Sequence, residues 1–253
     1  MAYIIRDGVK VYFEDHGSGP GVLLSHGFSQ SSAMWQDQVE AMSKNYRVMT
    51  WDMRGHGRSD YPDDPAAYSQ DQSVADMAAI LDACGLAKAV IGGHSLGGYT
   101  SLAFHLAHHQ RTAGLMLFNT GPGFKKDEAR AAWNARANAR ADQFDAHGLE
   151  ALNNSPSANS EVHRDATGLA KAARGMLAQF DDNLIQSLPN VAVPTIVLVG
   201  AEDEPFHAAT CYMAKKIPGA QKVVVQNAGH VANVDQPIAF NNAVLGFLGH
   251  LDL

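Results

Sequence analysis

The order of residues predicts an α/β fold: a mostly parallel central sheet of about eight strands, helices on both faces, an antiparallel edge hairpin and a helical insertion. Three observations carry this expectation. Short β-rich stretches alternate with helical ones along most of the 253-residue chain, the rhythm of βαβ crossovers. An Asp-Gly pair at 7 and 8 joins the first two β-rich stretches, a hairpin signal. The alternation stops over residues 122–187, which hold no convincing strand, and then resumes.

Residues 2–5 and 9–14 form the hairpin, and Gly17-Ser-Gly-Pro-Gly21 is a turn. That turn lacks the lysine and the following helix of a phosphate loop. Residues 22–25 read as a buried strand, and 32–44 as a helix with Trp35, Val39 and Met42 inward. Strands follow at 46–51, 88–92 and 113–118. Between them lie helices over 73–84, stopped by Gly85, and over 96–109. Within the insertion, 127–144 looks helical. Strand 194–199, helix 205–217 and strand 221–226 come next, and Asp235 and Pro237 open a last helix with Phe240, Val244 and Phe247 inward. The expected organisation is a core of residues 1–121 and 188–253 carrying a helical cap of residues 122–187.

Composition narrows the partners. Hydrophobic residues at 46% and charged residues at 18% suit an ordinary core. A net charge of −7 argues against nucleic acid and against an anionic membrane surface. No apolar run approaches the ~20 residues that span a bilayer, and the first residues do not read as a signal peptide. A cytoplasmic protein is expected. Cys84 and Cys211 stand far apart and read as reduced thiols.

The chemistry gathers around Gly93-His-Ser95-Leu-Gly97, which fits G-x-S-x-G with a strand before it and a helix after it. A tight turn there lifts the serine hydroxyl above the sheet, and the glycines avoid collision across the corner. The competing reading is a helix N-cap serine among turn glycines. A serine nucleophile needs a base. Of the twelve histidines, His230 directly follows strand 221–226, at the strand end where parallel sheets place chemistry. The imidazole needs an acid to fix its tautomer. Glu202, Asp203 and Glu204 compete after strand 194–199; Asp203 is favoured and Glu202 is second. Strand 113–118 ends in Asn119 and offers no carboxylate.

The order Ser95, Asp203, His230, with these strand ends, resembles the α/β-hydrolase fold family, and the resemblance covers nearly the whole chain. Ser25-His26-Gly27-Phe28 resembles that family's oxyanion loop, and Asp52-Met-Arg-Gly-His-Gly-Arg-Ser59 its structural turn. The resemblance implies a cofactor-free serine hydrolase with the N–H groups of Phe28 and Leu96 as the oxyanion hole. Elementary physics agrees for Leu96, which opens a helix. His26 and Trp133 are candidate substrate contacts, and no metal is expected. The implied substrate is a small or medium ester, with an enol-lactone close behind. Carbon–carbon bond hydrolysis, perhydrolysis and a non-catalytic ligand receptor are the further alternatives. An epoxide hydrolase or dehalogenase is disfavoured, because those relatives carry aspartate where Ser95 stands.

Other polar clusters read as structural. Asp52, Arg54 and His56 are expected to hold a glycine-rich turn together. His105, His108 and His109 have helical spacing without a completing carboxylate and read as an exposed helix face. His94 reads as a packing neighbour of the serine. Trp133 and the arginines of the insertion either line a substrate pocket or belong to an amphipathic helix that covers the core.

Overall fold

The computed structural model describes residues 2–153 and 160–253. Eight strands form one sheet: β1 (Ala2–Arg6), β2 (Val9–His16), β3 (Gly21–Ser25), β4 (Arg47–Trp51), β5 (Ala89–His94), β6 (Thr112–Phe118), β7 (Thr195–Gly200) and β8 (Gln221–Val225). Their order is β1-β2-β4-β3-β5-β6-β7-β8. β2 runs antiparallel to β1 and to β4; every other neighbour is parallel. Asp7 (φ 53°) and Gly8 (φ 77°) turn the hairpin, since a two-residue turn matching strand twist needs positive φ at both positions.

The helices are α1 (Gln36–Met42), α2 (Gln70–Ala83), α3 (Leu96–Ala107), α4 (Asp127–His147), α5 (Ala166–Ala172), α6 (Asn183–Ser187), α7 (Glu204–Lys216), α8 (Ala232–Asp235) and α9 (Pro237–Leu248). Side chains alternate across a strand, so each central strand feeds two cores. Leu23, Met49, Ile91, Leu115, Leu117 and Val197 meet α2 and α3 through Met77, Leu81 and Leu102. Val22, Leu24, Val48, Val90, Met116 and Ile196 meet Trp35, Met42, Phe240, Val244 and Phe247 on the opposite face. Burying each large side chain contributes roughly 1.5–3 kcal/mol, which is why the sheet is covered on both sides.

Between β6 and β7 lie α4, α5 and α6 with short helical turns, one of them a π turn at Ala173–Leu177. This segment has a small core of its own, built on Phe144, Leu152 and Leu169 with Ala141, Ala166 and Ala170. Among the described residues no helix is long and apolar enough to cross a membrane, and Cys84 and Cys211 are free thiols.

The chain leaves β3 for β4 on one side and returns to β5 on the other. The crevice between β3 and β5, at their carboxyl ends, is therefore the switch point where sheets of this kind place ligands.

Candidate active site

Ser95 stands at that switch point, between the end of β5 and the first turn of α3. Its backbone is held at φ 51°, ψ −115°, a conformation that costs a non-glycine residue on the order of 1–3 kcal/mol. The neighbours explain how it persists. A Cβ on Gly93 would run into the backbone of Gly97, and one on Gly97 into the carbonyls of Ser25 and His26. Ser95 N–H donates to Phe118 O (2.9 Å) and its carbonyl accepts from Thr120 Oγ1 (2.6 Å). It occupies the N-cap position of α3, yet its side chain makes no capping hydrogen bond. The N-cap reading of this serine therefore fails.

His230 lies in the loop after β8, and Asp203 follows β7 at the N-cap of α7. His230 Nδ1 bonds Asp203 Oδ2 at 2.9 Å; the acid is 5% exposed and the imidazole 36%. Asp203 likewise makes no capping bond to its helix. Its competitors Glu202 and Glu204 are exposed. Asn119, dismissed from the sequence for lacking a charge, donates from Nδ2 to Asp203 Oδ2 (2.8 Å) and to Gly229 O (3.1 Å). It sits at φ 47° directly after β6, a strand end as legible as the others. Phe206 stacks on the His230 ring with centroids 4.8 Å apart.

His94 joins the two halves. Its Nε2–H donates to His230 O at 2.6 Å, and the two rings stand 4.8 Å apart edge to face. Burial, with His230 beside it, pushes the His94 pKa down to about 3, so this ring stays neutral. The hydroxyl of Ser95 itself makes no hydrogen bond to His230 or to any other described residue. The N–H groups of Phe28 and Leu96 donate to no described group; the first N–H groups of a helix lack intrahelical partners.

Above Ser95 opens a cavity of about 280 Å³, walled by Leu96, Tyr99, Phe124, Trp133, Leu177 and Phe206, with Arg136 and Gln179 among its few polar groups. Trp133 is thus at the cavity wall, its Nε1–H donating to Leu177 O (2.8 Å). His26 corrects an expectation. It is fully buried, outside the cavity lining. Nδ1–H donates to Gly27 O (2.7 Å) and Nε2 accepts from Met53 N–H (2.9 Å). The ring thus ties the loop after β3 to the turn after β4 and has no nitrogen left for substrate. Phe28 also lies off the lining, packed against His56 and Phe144.

The cluster after β4 is structural, as its turn suggested. Asp52 accepts from the N–H groups of Ser32 (2.6 Å) and Arg58 (2.8 Å), and Arg54 forks onto Asp76 (2.7 and 2.9 Å). The histidines near the end of α3 do not form an exposed face. α3 stops at Ala107, so the helical spacing of His105, His108 and His109 breaks. His105 is buried, and burial lowers its pKa.

Comparison with known proteins agrees with this architecture. Residues 22–243 match the model of the alpha/beta hydrolase family. The chain is 29% identical to 3-oxoadipate enol-lactonase 1 of Acinetobacter baylyi, over 96% of this chain and 94% of that one. Among solved structures, the enol-lactonase from Burkholderia xenovorans LB400 superposes with TM-score 0.80 at 27% identity, covering 98% of this chain and all of the other (100%). A thermophilic esterase from Thermogutta terrifontis superposes with TM-score 0.85 at 29% identity, covering 98% of both chains. With the match spanning most of the chain and a sheet of the observed order, this protein belongs to the alpha/beta hydrolase family.

Proposed function

We propose that the protein is a serine hydrolase that cleaves a carboxylic ester through an acyl-enzyme. The observation that carries this reading is Ser95: a strained, glycine-walled serine whose hydroxyl is spent on no helix cap and faces a cavity. Ser95 Oγ attacks the acyl carbonyl as His230 Nε2 takes its proton. Such contacts are often loose before substrate binds and tighten in the complex. Asp203 stays ionised, fixes the Nδ1–H tautomer and stabilises the imidazolium. Asn119 keeps the carboxylate aimed at the ring. The N–H groups of Phe28 and Leu96 receive the oxyanion, a donor of this kind contributing ~2.7–4 kcal/mol to the transition state. His230 then protonates the leaving alcohol, and water activated by the same ring releases the acid. Residues 122–187 act as a cap that roofs the cavity and shields it from water.

Enol-lactone hydrolysis uses the same steps, with the leaving oxygen tethered to the acyl group. The enol-lactonase relatives keep it as the second reading. A fluorophosphonate probe and p-nitrophenyl acetate test the common chemistry. Wild-type protein is expected to label and turn over; Ser95→Ala is expected to do neither. Labelling that survives Ser95→Ala would move the nucleophile elsewhere, and a folded wild-type chain that neither labels nor turns over would favour a ligand receptor.

A further inference from the structure

The turn after β3 is held from two directions. Gln30 N–H donates to Gly27 O (3.2 Å), which makes Phe28 and Ser29 the central residues of a tight turn. Ser29 stands at φ 57°, a value that favours glycine at this position of a turn. A serine there is strained, and such a backbone persists only where its surroundings over-determine it. Two imidazoles provide that restraint. His56 Nε2 accepts from Ser29 N–H (3.2 Å), and its Nδ1–H donates to Arg54 O (3.1 Å). His163 Nε2–H donates to Ser29 O (3.1 Å), and its Nδ1 accepts from Gly57 N–H (3.3 Å). One ring thus takes the amide of Ser29 and the other its carbonyl.

The two rings come from different parts of the chain. His56 belongs to the turn after β4, whereas His163 lies in the helical segment between β6 and β7, just ahead of α5. Their centroids stand 5.8 Å apart, edge to face. His163 is 6% exposed. Burial lowers its pKa, and a ring that accepts at one nitrogen and donates at the other is a neutral imidazole. The helical segment meets the turn a second time at Phe28, whose ring stands 6.0 Å from that of Phe144. Both central residues of the turn therefore contact the segment above the cavity.

Phe28 N–H is one of the two donors assigned to the oxyanion, and the turn that Ser29 shapes carries it. Resting on that reading of Phe28 and Ser95, we propose that His163 is a positioning residue, holding the turn in the conformation that presents Phe28 N–H to the oxyanion. The helical segment then does more than cover the cavity: it supplies one side of the clamp on a catalytic donor. Such a donor acts only when aimed within hydrogen-bond distance of the developing charge, and a misplacement of ~1 Å can cost on the order of 10²-fold in rate. His163 itself lies outside the cavity lining. Its loss should therefore reach kcat through Phe28 and leave ground-state binding nearly unchanged.

Two variants test this. His163→Phe keeps an aromatic ring and removes both hydrogen bonds; His163→Gln keeps one donor and one acceptor. Turnover of p-nitrophenyl acetate is expressed per active site, counted by end-point titration with a fluorophosphonate. His163→Phe is expected to lower kcat about 10–100-fold with KM within ~3-fold of wild type, and His163→Gln to recover most of that loss. Affinity for a trifluoromethyl ketone, whose adduct with Ser95 places an oxyanion in the hole, should fall by the same factor as kcat/KM. A merely structural role would reduce the number of titratable sites and leave kcat per site unmoved. A kcat per site and a ketone affinity within about twofold of wild type in His163→Phe overturn the proposal while leaving the hydrolase reading intact. Hydrogen exchange gives a readout independent of turnover. The Ser29 amide should exchange at least ~10-fold faster in His163→Phe than in wild type, with the amides of β5 unaffected. Equal exchange overturns the proposal. Faster exchange in a chain that cleaves no ester and takes no fluorophosphonate supports the clamp and overturns the hydrolase reading instead.

Discussion

The floor and the roof of the cavity are built in opposite ways. In the floor, side chains from the ends of four strands hold one another: Asn119 holds Asp203, Asp203 holds His230, and His94 holds the backbone at 230. In the roof, two side chains of α4 fasten backbone. Trp133 takes Leu177 O, and Asn134 takes both sides of Gln179. The floor thus fixes side chains against one another. At these contacts the roof fixes main chain. Reaction type should accordingly respond to changes in the floor, and substrate choice to changes in the roof.

The largest break in that contrast is expected from Asp203→Asn. It keeps the shape but offers His230 an amide in place of a carboxylate, and kcat should fall on the order of 10⁴-fold, measured on p-nitrophenyl acetate. A drop of tenfold or less would show that another acid serves the imidazole. Phe144→Ala attacks the roof's own core, where Phe144 is 2% exposed and touches Phe28. It should cost roughly 3–5 kcal/mol, read as a lowered urea midpoint. A midpoint equal to wild type would mean that the roof core contributes nothing to global stability.

Acid should weaken the seam between the two regions. Burial lowers the pKa of His26 to about 4 and that of His94 to about 3, and also lowers those of His56 and His163. The unfolded chain takes up these protons near 6.5, whereas the fold resists them. Stability from these rings is therefore complete above pH ~6.5 and declines as pH falls toward 4 and then 3. His163 matters most for the contrast, because its Nδ1 accepts from Gly57 N–H and its Nε2–H donates to Ser29 O (3.3 and 3.1 Å), roof to floor. Urea midpoints at pH 7.5 and pH 5 should differ in that direction; equal midpoints would rule out this linkage. The smallest effect is expected from Trp133→Phe, which deletes one hydrogen bond to Leu177 at about 0.5–1.5 kcal/mol and should alter the ranking of ester chain lengths more than the rate of fluorophosphonate labelling.

The same contrast explains what could be read from the residues alone. The floor is legible because its requirements are local. A serine at positive φ needs small neighbours, and loops at strand ends can be ordered along the chain, so Ser95, Asp203 and His230 could be selected before any coordinates. Asn119 was missed because a neutral amide carries no sign of whom it serves until the acid stands beside it. The roof is far less legible. Only Ala137, Ala141 and Phe144 of α4 are buried, α5 and the π turn bury mostly alanines, and α6 is a five-residue helix with only Leu184 and Ile185 inward, too short to show a period. The error at His26 has the same origin as that at His105: a histidine in a motif or a run shows its type, but its exposure is set by distant strands and by where a helix ends.

Two helices, α3 and α7, begin at residues whose side chains could bond their free N–H groups and do not. A cap of that kind is typically worth ~1 kcal/mol to a helix. Both corners forgo that contribution, and Ser95 in addition holds a positive φ that glycine adopts without strain. Directed evolution for heat tolerance alone should therefore recover Ser95→Gly, whereas selection that also demands ester turnover should find its gains elsewhere.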